Sequence, residues 1–283
     1  MIEGLLKKYW GFDSFRPFQR EIILSITQGV DTLALLPTGG GKSLCYQLPA
    51  MAKEGVCLVF SPLISLMKDQ VDSLSAKGIS AIALHSGLTK NEIDNELQNA
   101  LNGKYKFVYL SPERGSSKLF RSYLPNLNLS FIVVDEAHCV SQWGHQFRPE
   151  YLQIGELRDI VSEVTYVAVT ATATRFVVKD IVKHLSFKQN YKLYQASFQR
   201  VNLTYLVIKD KNKINRIVKI LSRLQGSALV YVNTRRKSVE VAELLNSNGL
   251  DTTYYHGGLD YGQRTIIQQS WIEDKTRIVV CTN

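Results

Sequence analysis

Cysteine is scarce in this sequence. There are four, Cys45, Cys57, Cys139 and Cys281, and no two of them form a C-x-x-C pair. That argues against a zinc site built from these residues. Each lies in or beside an apolar run, so a reduced, packed thiol is expected. Long apolar stretches are missing too: none could span a membrane, and no secretory signal is recognisable. No membrane partner is therefore expected, and a reducing cytoplasm is the expected compartment (nucleoid-associated in a bacterium). There is no Pro/Gly/Ser-rich linker and no low-complexity tract. Acidic residues are in deficit, 25 against 34 Lys and Arg, for a net charge of +9. Such a surplus favours a polyanionic partner, because each phosphate neutralised by Lys or Arg releases a counterion. Charge of this size is equally compatible with a basic soluble protein that has no such partner.

What is present reads as globular. Hydrophobic residues make up 45% and charged residues 21% of 283, enough apolar surface for sizeable cores. Short apolar runs alternate with amphipathic segments. Strands are expected at 32–36, 56–61, 80–84, 106–111, 131–134 and 165–170. Helices fall between them, as at 64–77, where Ile64, Met67, Val71 and Leu74 share a face. Buried parallel strands alternating with helices imply an α/β fold with an open sheet covered on both sides. After a strand at 192–195 and a joint near 197–202, the alternation restarts. Strands are expected at 203–208, 227–232, 252–255 and 277–281, with a helix at 238–247. The expected domains are 1–198 and 199–283, the second incomplete at its C-terminal end.

The run 33–36 is a buried-strand signal, followed at once by Pro37-Thr38-Gly39-Gly40-Gly41-Lys42-Ser43. Three consecutive glycines let the backbone turn its N–H groups onto phosphate oxygens, and the helix that follows points its positive end at the same anion. Lys42 supplies charge for the β- and γ-phosphates, and the Ser43 hydroxyl is a hard ligand suited to Mg²⁺. The strict pattern G-x-x-x-x-G-K-[ST] wants glycine where this chain has Leu36. A second buried run, 131–134, ends in Asp135-Glu136-Ala137-His138. Beside a phosphate loop, Asp135 is expected to hold Mg²⁺ and Glu136 to orient and deprotonate the attacking water.

Residues 38–43 and 135–138 resemble the first and second motifs of superfamily-two helicases. The segment 139–151, Cys-Val-Ser-Gln-Trp-Gly-His-Gln-Phe-Arg-Pro-Glu-Tyr, resembles the aromatic-rich loop of the RecQ family of DNA helicases nearly residue for residue. In that family the loop senses single-stranded DNA. Trp143 and Phe147 offer faces for stacking, His145 belongs to the same loop, and Arg148 offers charge. Residues 9–19 resemble the family's adenine-recognition motif, which implies that Gln19 reads the adenine edge, Phe12 stacks on the ring and Arg16 frames the nucleotide. Locally, Pro17 suits the first turn of a helix with Phe18, Ile22, Ile23 and Ile26 on its apolar face. Residues 60–70 and 111–114 resemble the DNA-tracking motifs Ia and Ib. Thr170-Ala171-Thr172 resembles motif III, which couples hydrolysis to movement. Residues 229–235, 255–259 with Arg264, and 278–283 resemble motif IV, the segment after it and the start of motif V.

The resemblance covers essentially the whole chain. It implies two RecA-like lobes, ATP and Mg²⁺ as cofactors, single-stranded and partly duplex DNA as partner, 3′-to-5′ movement, and a place in DNA repair or recombination. Motif VI, with the family's arginine finger, and the zinc-binding and winged-helix domains are expected beyond residue 283, so residues 1–283 are expected to bind ATP but not to unwind DNA. Two other readings stay open: a nucleotide-gated binding module that does no net work, separable by a steady-state ATPase assay, and an RNA helicase, separable by DNA–RNA competition. Protein partners are not indicated.

Overall fold

The structure is a computed structural model. It describes residues 2–282 except Ser86, His145, Gln146, Phe198, Arg200 and Val201, and leaves aside the side chain of Tyr261. The chain divides into two compact units, Met1–Val201 and Asn202–Asn283. The first holds seven strands: β1 Thr32–Leu35, β2 Val56–Phe60, β3 Ala81–Leu84, β4 Phe107–Leu110, β5 Leu129–Asp135, β6 Tyr166–Thr170 and β7 Lys192–Gln195. Their order is β3-β4-β2-β5-β6-β1-β7, and every pairing is parallel.

A parallel sheet needs cover on both faces, and the strands read accordingly. Along β5, Ile132 and Val134 enter one core with Leu58, Phe60 and Val108. Phe131 and Val133 enter the other with Cys57, Val59 and Tyr109. The sheet is tied down at its amino end by Asp31, whose buried carboxylate accepts from Arg158 at 2.7 Å, from the Tyr166 backbone N–H at 2.8 Å and from the Lys188 backbone N–H at 2.8 Å.

The second unit holds β8 Ala228–Tyr231, β9 Thr252–Tyr255 and β10 Ile278–Cys281, all parallel, in the order β8-β10-β9. The strand expected at 203–208 is not formed. This apolar segment is exposed along its length, with Val207 fully open to solvent. A strand exists only where a neighbour supplies its hydrogen bonds, and none of the described strands pairs with it. Residues 17 and 18 also differ from expectation. The helix begins at Gln19, and Phe18 precedes it with φ 66°, so Phe18 does not share the apolar face of Ile22, Ile23 and Ile26. All four cysteines are free and buried. Among the described residues, no helix is long and apolar enough to cross a membrane.

Candidate nucleotide and nucleic-acid site

Neighbouring strands β1, β6 and β5 all deliver a sequence motif at their carboxyl ends, which is why distant residues meet. β1 runs into the loop 36–41, and the helix Lys42–Ala52 follows. Leu36 extends the strand: its N–H donates to the Thr170 carbonyl at 3.1 Å and its side chain is buried. The position where the strict motif has glycine is therefore a buried residue bonded to the neighbouring strand here. The glycines that matter lie farther on. Gly39 and Gly41 have φ of 78° and 76°, left-handed values that favour glycine. A Cβ on Gly40 would lie 2.8 Å from the Pro37 carbonyl oxygen.

The adenine-motif residues close on this loop. The Gln19 side chain, almost wholly buried, donates to the carbonyls of Gly40 and Gly41, both at 3.3 Å. Its oxygen accepts from the Arg16 backbone N–H at 2.9 Å. The Arg16 guanidinium donates to the Gly39 carbonyl. A Cβ on Gly41 would displace the Gln19 amide from its bonds to the loop, and the φ of 76° favours glycine there in any case. Phe12 is half exposed, and Thr38 is exposed on the loop.

At the end of β5, Asp135 is buried and Glu136 adopts φ 48°, ψ 45°. A left-handed non-glycine residue is strained, and such strain gathers at functional sites. Burial, reinforced by the Glu136 charge, pushes the Asp135 carboxyl up to about 6, against the Glu136 backbone N–H, Lys42 and His138. A buried carboxylate so short of compensating charge suits a cation. Glu136 is held below the usual carboxylate range, first by its hydrogen bond with His138 and then by Lys42, against burial.

His138, not singled out in the sequence as a site residue, joins the strand ends. Its Nδ1 lies 3.3 Å from a Glu136 oxygen and 2.8 Å from the Thr170 Oγ1. The Cys139 side chain, then Glu136, raise its pKa to about 9, with burial opposing. The Thr170 hydroxyl in turn accepts from the Thr172 backbone N–H at 3.3 Å. Second- and third-motif residues are therefore in direct contact. The available signal was the histidine's place in the acidic box; its partner Thr170 was marked by the motif III resemblance, but nothing in the sequence paired the two.

The aromatic segment hangs from the same strand. Trp143 is 78% exposed, whereas Phe147 is partly buried. Arg148 donates to the Pro62 carbonyl at 2.8 Å, linking the loop to the segment after β2. The Ser141 hydroxyl donates to Asp180 at 2.6 Å and anchors the loop's start. A largely apolar cavity of about 230 Å³ opens between His138, Trp143, Gly144, Thr172, Ala173 and Val177. His145 lies outside the described residues.

Known proteins resemble this chain in sequence and in fold. Residues 16–181 match the DEAD/DEAH box helicase family, and residues 212–283 match the helicase conserved C-terminal domain. The chain is 40% identical over 287 residues to the "probable ATP-dependent DNA helicase RecS" of Bacillus subtilis, covering 100% of this chain and 57% of that protein. It is 40% identical over 279 residues to the "ATP-dependent DNA helicase RecQ" of Pasteurella multocida, covering 98% of this chain and 44% of that one. The chain thus spans about half the length of these curated relatives. Among solved structures, the helicase MrfA bound to DNA superposes with a TM-score of 0.77 at 18% identity, over 99% of this chain and 44% of that one. At that identity the likeness speaks for the fold, that of RecA-like helicase lobes. With the family match spanning more than half its length, the chain belongs to the DEAD/DEAH box helicases, and over its whole length it is similar to those of RecQ type.

Proposed function

We propose that this chain is the motor region of an ATP-dependent DNA helicase that moves 3′-to-5′ on single-stranded DNA, with lobes at 1–198 and 199–283. The observation that carries the reading is the contact chain Glu136–His138–Thr170–Thr172, with the exposed Trp143 rooted on the same segment. It connects the hydrolytic carboxylate to a surface able to stack a base. ATP would lie along residues 38–43 with Phe12, Arg16 and Gln19 about the base, and Mg²⁺ would be held by Asp135 and Ser43. The bound metal supplies charge neutralisation on the phosphates. Lys42 binds the β/γ-phosphates, and Glu136, kept ionised at neutral pH, takes a proton from the attacking water. Trp143, His145, Phe147 and Arg148 meet the strand, and Thr170 and Thr172 relay its presence.

The chain of 283 residues is expected to bind nucleotide and to fail at strand separation, since no segment of it resembles the motif that carries the family's arginine finger. Such a finger is worth on the order of 10³–10⁵ in rate. The test is nucleotide binding by Lys42→Ala and Glu136→Gln. Lys42→Ala should weaken affinity by roughly 10- to 100-fold, the value of a charge-assisted contact. Glu136→Gln should bind normally and lose what hydrolysis there is. Unchanged affinity in Lys42→Ala would overturn the phosphate-loop assignment, and robust unwinding by residues 1–283 would overturn the expectation that this chain fails at strand separation.

A further inference from the structure

One helix of the second unit differs from the others in charge. Helix Lys213–Arg223 carries Lys213, Arg216, Lys219 and Arg223 and no acidic residue. Every other helix of eight or more residues with more than one charge mixes signs, as Arg235–Ser247 does with its Arg236–Glu240 pair at 2.6 Å. At 3.6 residues per turn the four basic positions fall within about 120° of arc and along about 15 Å of axis. All four are exposed. Lys209 and Lys211 precede them, also exposed. The one acid within 209–223, Asp210, accepts from the Asn212 backbone N–H at 2.8 Å. Among the described residues none of these six cations is in an ion pair.

The stripe is held in place. On the opposite face Ile217, Val218 and Leu221 pack with Leu245, Ile278 and Val280. The helix start is capped by the Asn212 side chain. At its end the Arg277 guanidinium donates to the carbonyls of Leu221, at 2.6 Å, and Leu224. This both satisfies the helix terminus and adds a cation where the dipole favours one. A row of uncompensated like charges costs self-repulsion unless a polyanion meets it.

We propose that this stripe is a second DNA-binding surface, one that grips the phosphate backbone of duplex DNA. Residues 209–223 contain no aromatic side chain. Single-strand binding sites pair charge with stacking platforms, whereas a straight row of Lys and Arg suits backbone contact without base readout. In this the stripe is the complement of Trp143, which offers a ring face. The proposal rests on the reading of the chain as a DNA-acting motor.

The test uses the 283-residue chain with Lys213, Arg216, Lys219 and Arg223 all changed to Gln. The charge-preserving set Lys213→Arg, Arg216→Lys, Lys219→Arg and Arg223→Lys serves as the control for folding. Binding of a blunt duplex of about 20 base pairs is followed against salt. Four backbone contacts contribute about −3.6 to the slope of log K on log [salt]. The Gln variant should therefore show a slope shallower by about 3 and duplex affinity at low salt lower by on the order of tenfold or more. The charge-preserving variant should match the unaltered chain, and single-strand binding should be retained. An unchanged duplex slope in the Gln variant would overturn the proposal. So would loss of poly-glutamate binding with duplex binding intact, which would mark the stripe as a site for an acidic protein. Failure of the unaltered chain to bind either form of DNA would instead sink the motor reading itself.

Discussion

The two units share one alternation of strand and helix but seal it to different degrees. In the first, β1, β2, β4 and β6 are buried at every position. In the second, only the central β10 is. Strand β8 alternates between partial burial and exposure, leaving Leu229 46% and Tyr231 64% exposed beside a cavity of about 310 Å³. Parallel strands are stable when helices cover both faces. The central strands of the first unit meet that condition and carry the glycine-rich loop and both carboxylates at their ends, although its edge strand β7 stays largely exposed. The second meets it fully on one face and only in part on the other, where β8 stays open, so its local opening should cost less. The proposed catalytic residues sit on the more fully covered unit, and the less covered unit is the one expected to open more readily.

The largest effect should come from breaking the rigid side. Asp31 is fully buried and paired with Arg158, itself mostly buried. Removing one partner of such a pair costs roughly 3–5 kcal/mol. Asp31→Ala should depress the melting of the first unit and abolish nucleotide binding at temperatures where the second unit still protects its amides. Equal loss of protection in both units by hydrogen exchange would show that they unfold as one.

The converse substitution is Leu245→Ala. Leu245 is fully buried in the second unit's small core with Leu221, Leu250, Ile278 and Val280. The cost should sit near the lower end of the roughly 2–5 kcal/mol typical of such truncations, because the open sheet face lets the site relax. Amide protection in β8–β10 should collapse while ATP affinity stays unchanged. Lost affinity would mean that the nucleotide site depends on the second unit.

This asymmetry also governs what the sequence disclosed. Strands of the first unit were legible because doubly buried strands are continuous apolar runs: 131–134 marked β5, although the strand extends over Leu129–Asp135. The same signal misled at 203–208, where apolar, strand-like residues lie unpaired in solvent. Pairing is a tertiary fact, and composition does not report it. The phosphate loop and acidic box were legible because their spacing is set by chemistry. The Gln19 amide bonded to loop carbonyls, and the His138–Thr170 contact, were not, since they arise from strand order.

A pH titration sharpens the comparison within the site. His138 should titrate near 9, well above the ordinary 6.5, owing to Cys139 and Glu136. The sign follows from linkage. A histidine raised in the folded state contributes stability that is complete below about 6.5 and lost as pH rises through about 9. The first unit should therefore weaken over that window by roughly 3 kcal/mol, at about 1.36 kcal/mol per pH unit between 6.5 and about 9, while the second does not. In Glu136→Gln the ring should titrate lower. An NMR midpoint near 6.5 in the unaltered chain would remove His138 as the bridge between β5 and β6.

The smallest effect tests what the left-handed backbone at Phe18 costs. Among the described residues four non-glycine residues have left-handed backbone, Phe18 at φ 66°, Glu136 at 48°, Ser186 at 52° and Asp274 at 54°, so such conformations are not confined to the site. At Phe18 the cause is visible. The Gln19 N–H donates to the Arg16 carbonyl at 3.1 Å, closing a turn with Pro17 first and Phe18 second. A turn of this form wants glycine at the second place, and the turn is what aims the Gln19 amide at Gly40 and Gly41. A left-handed residue with a Cβ costs roughly 1–2 kcal/mol, and glycine returns roughly 0.5–1 of that through the unfolded chain's entropy. Phe18→Gly should therefore stabilise the first unit slightly, by about 0.5 kcal/mol, and leave the turn and nucleotide affinity intact. A drop in melting temperature would show that the Phe18 ring, 39% exposed, contributes packing that outweighs the strain. A drop confined to nucleotide affinity would show instead that the ring itself belongs to the binding site.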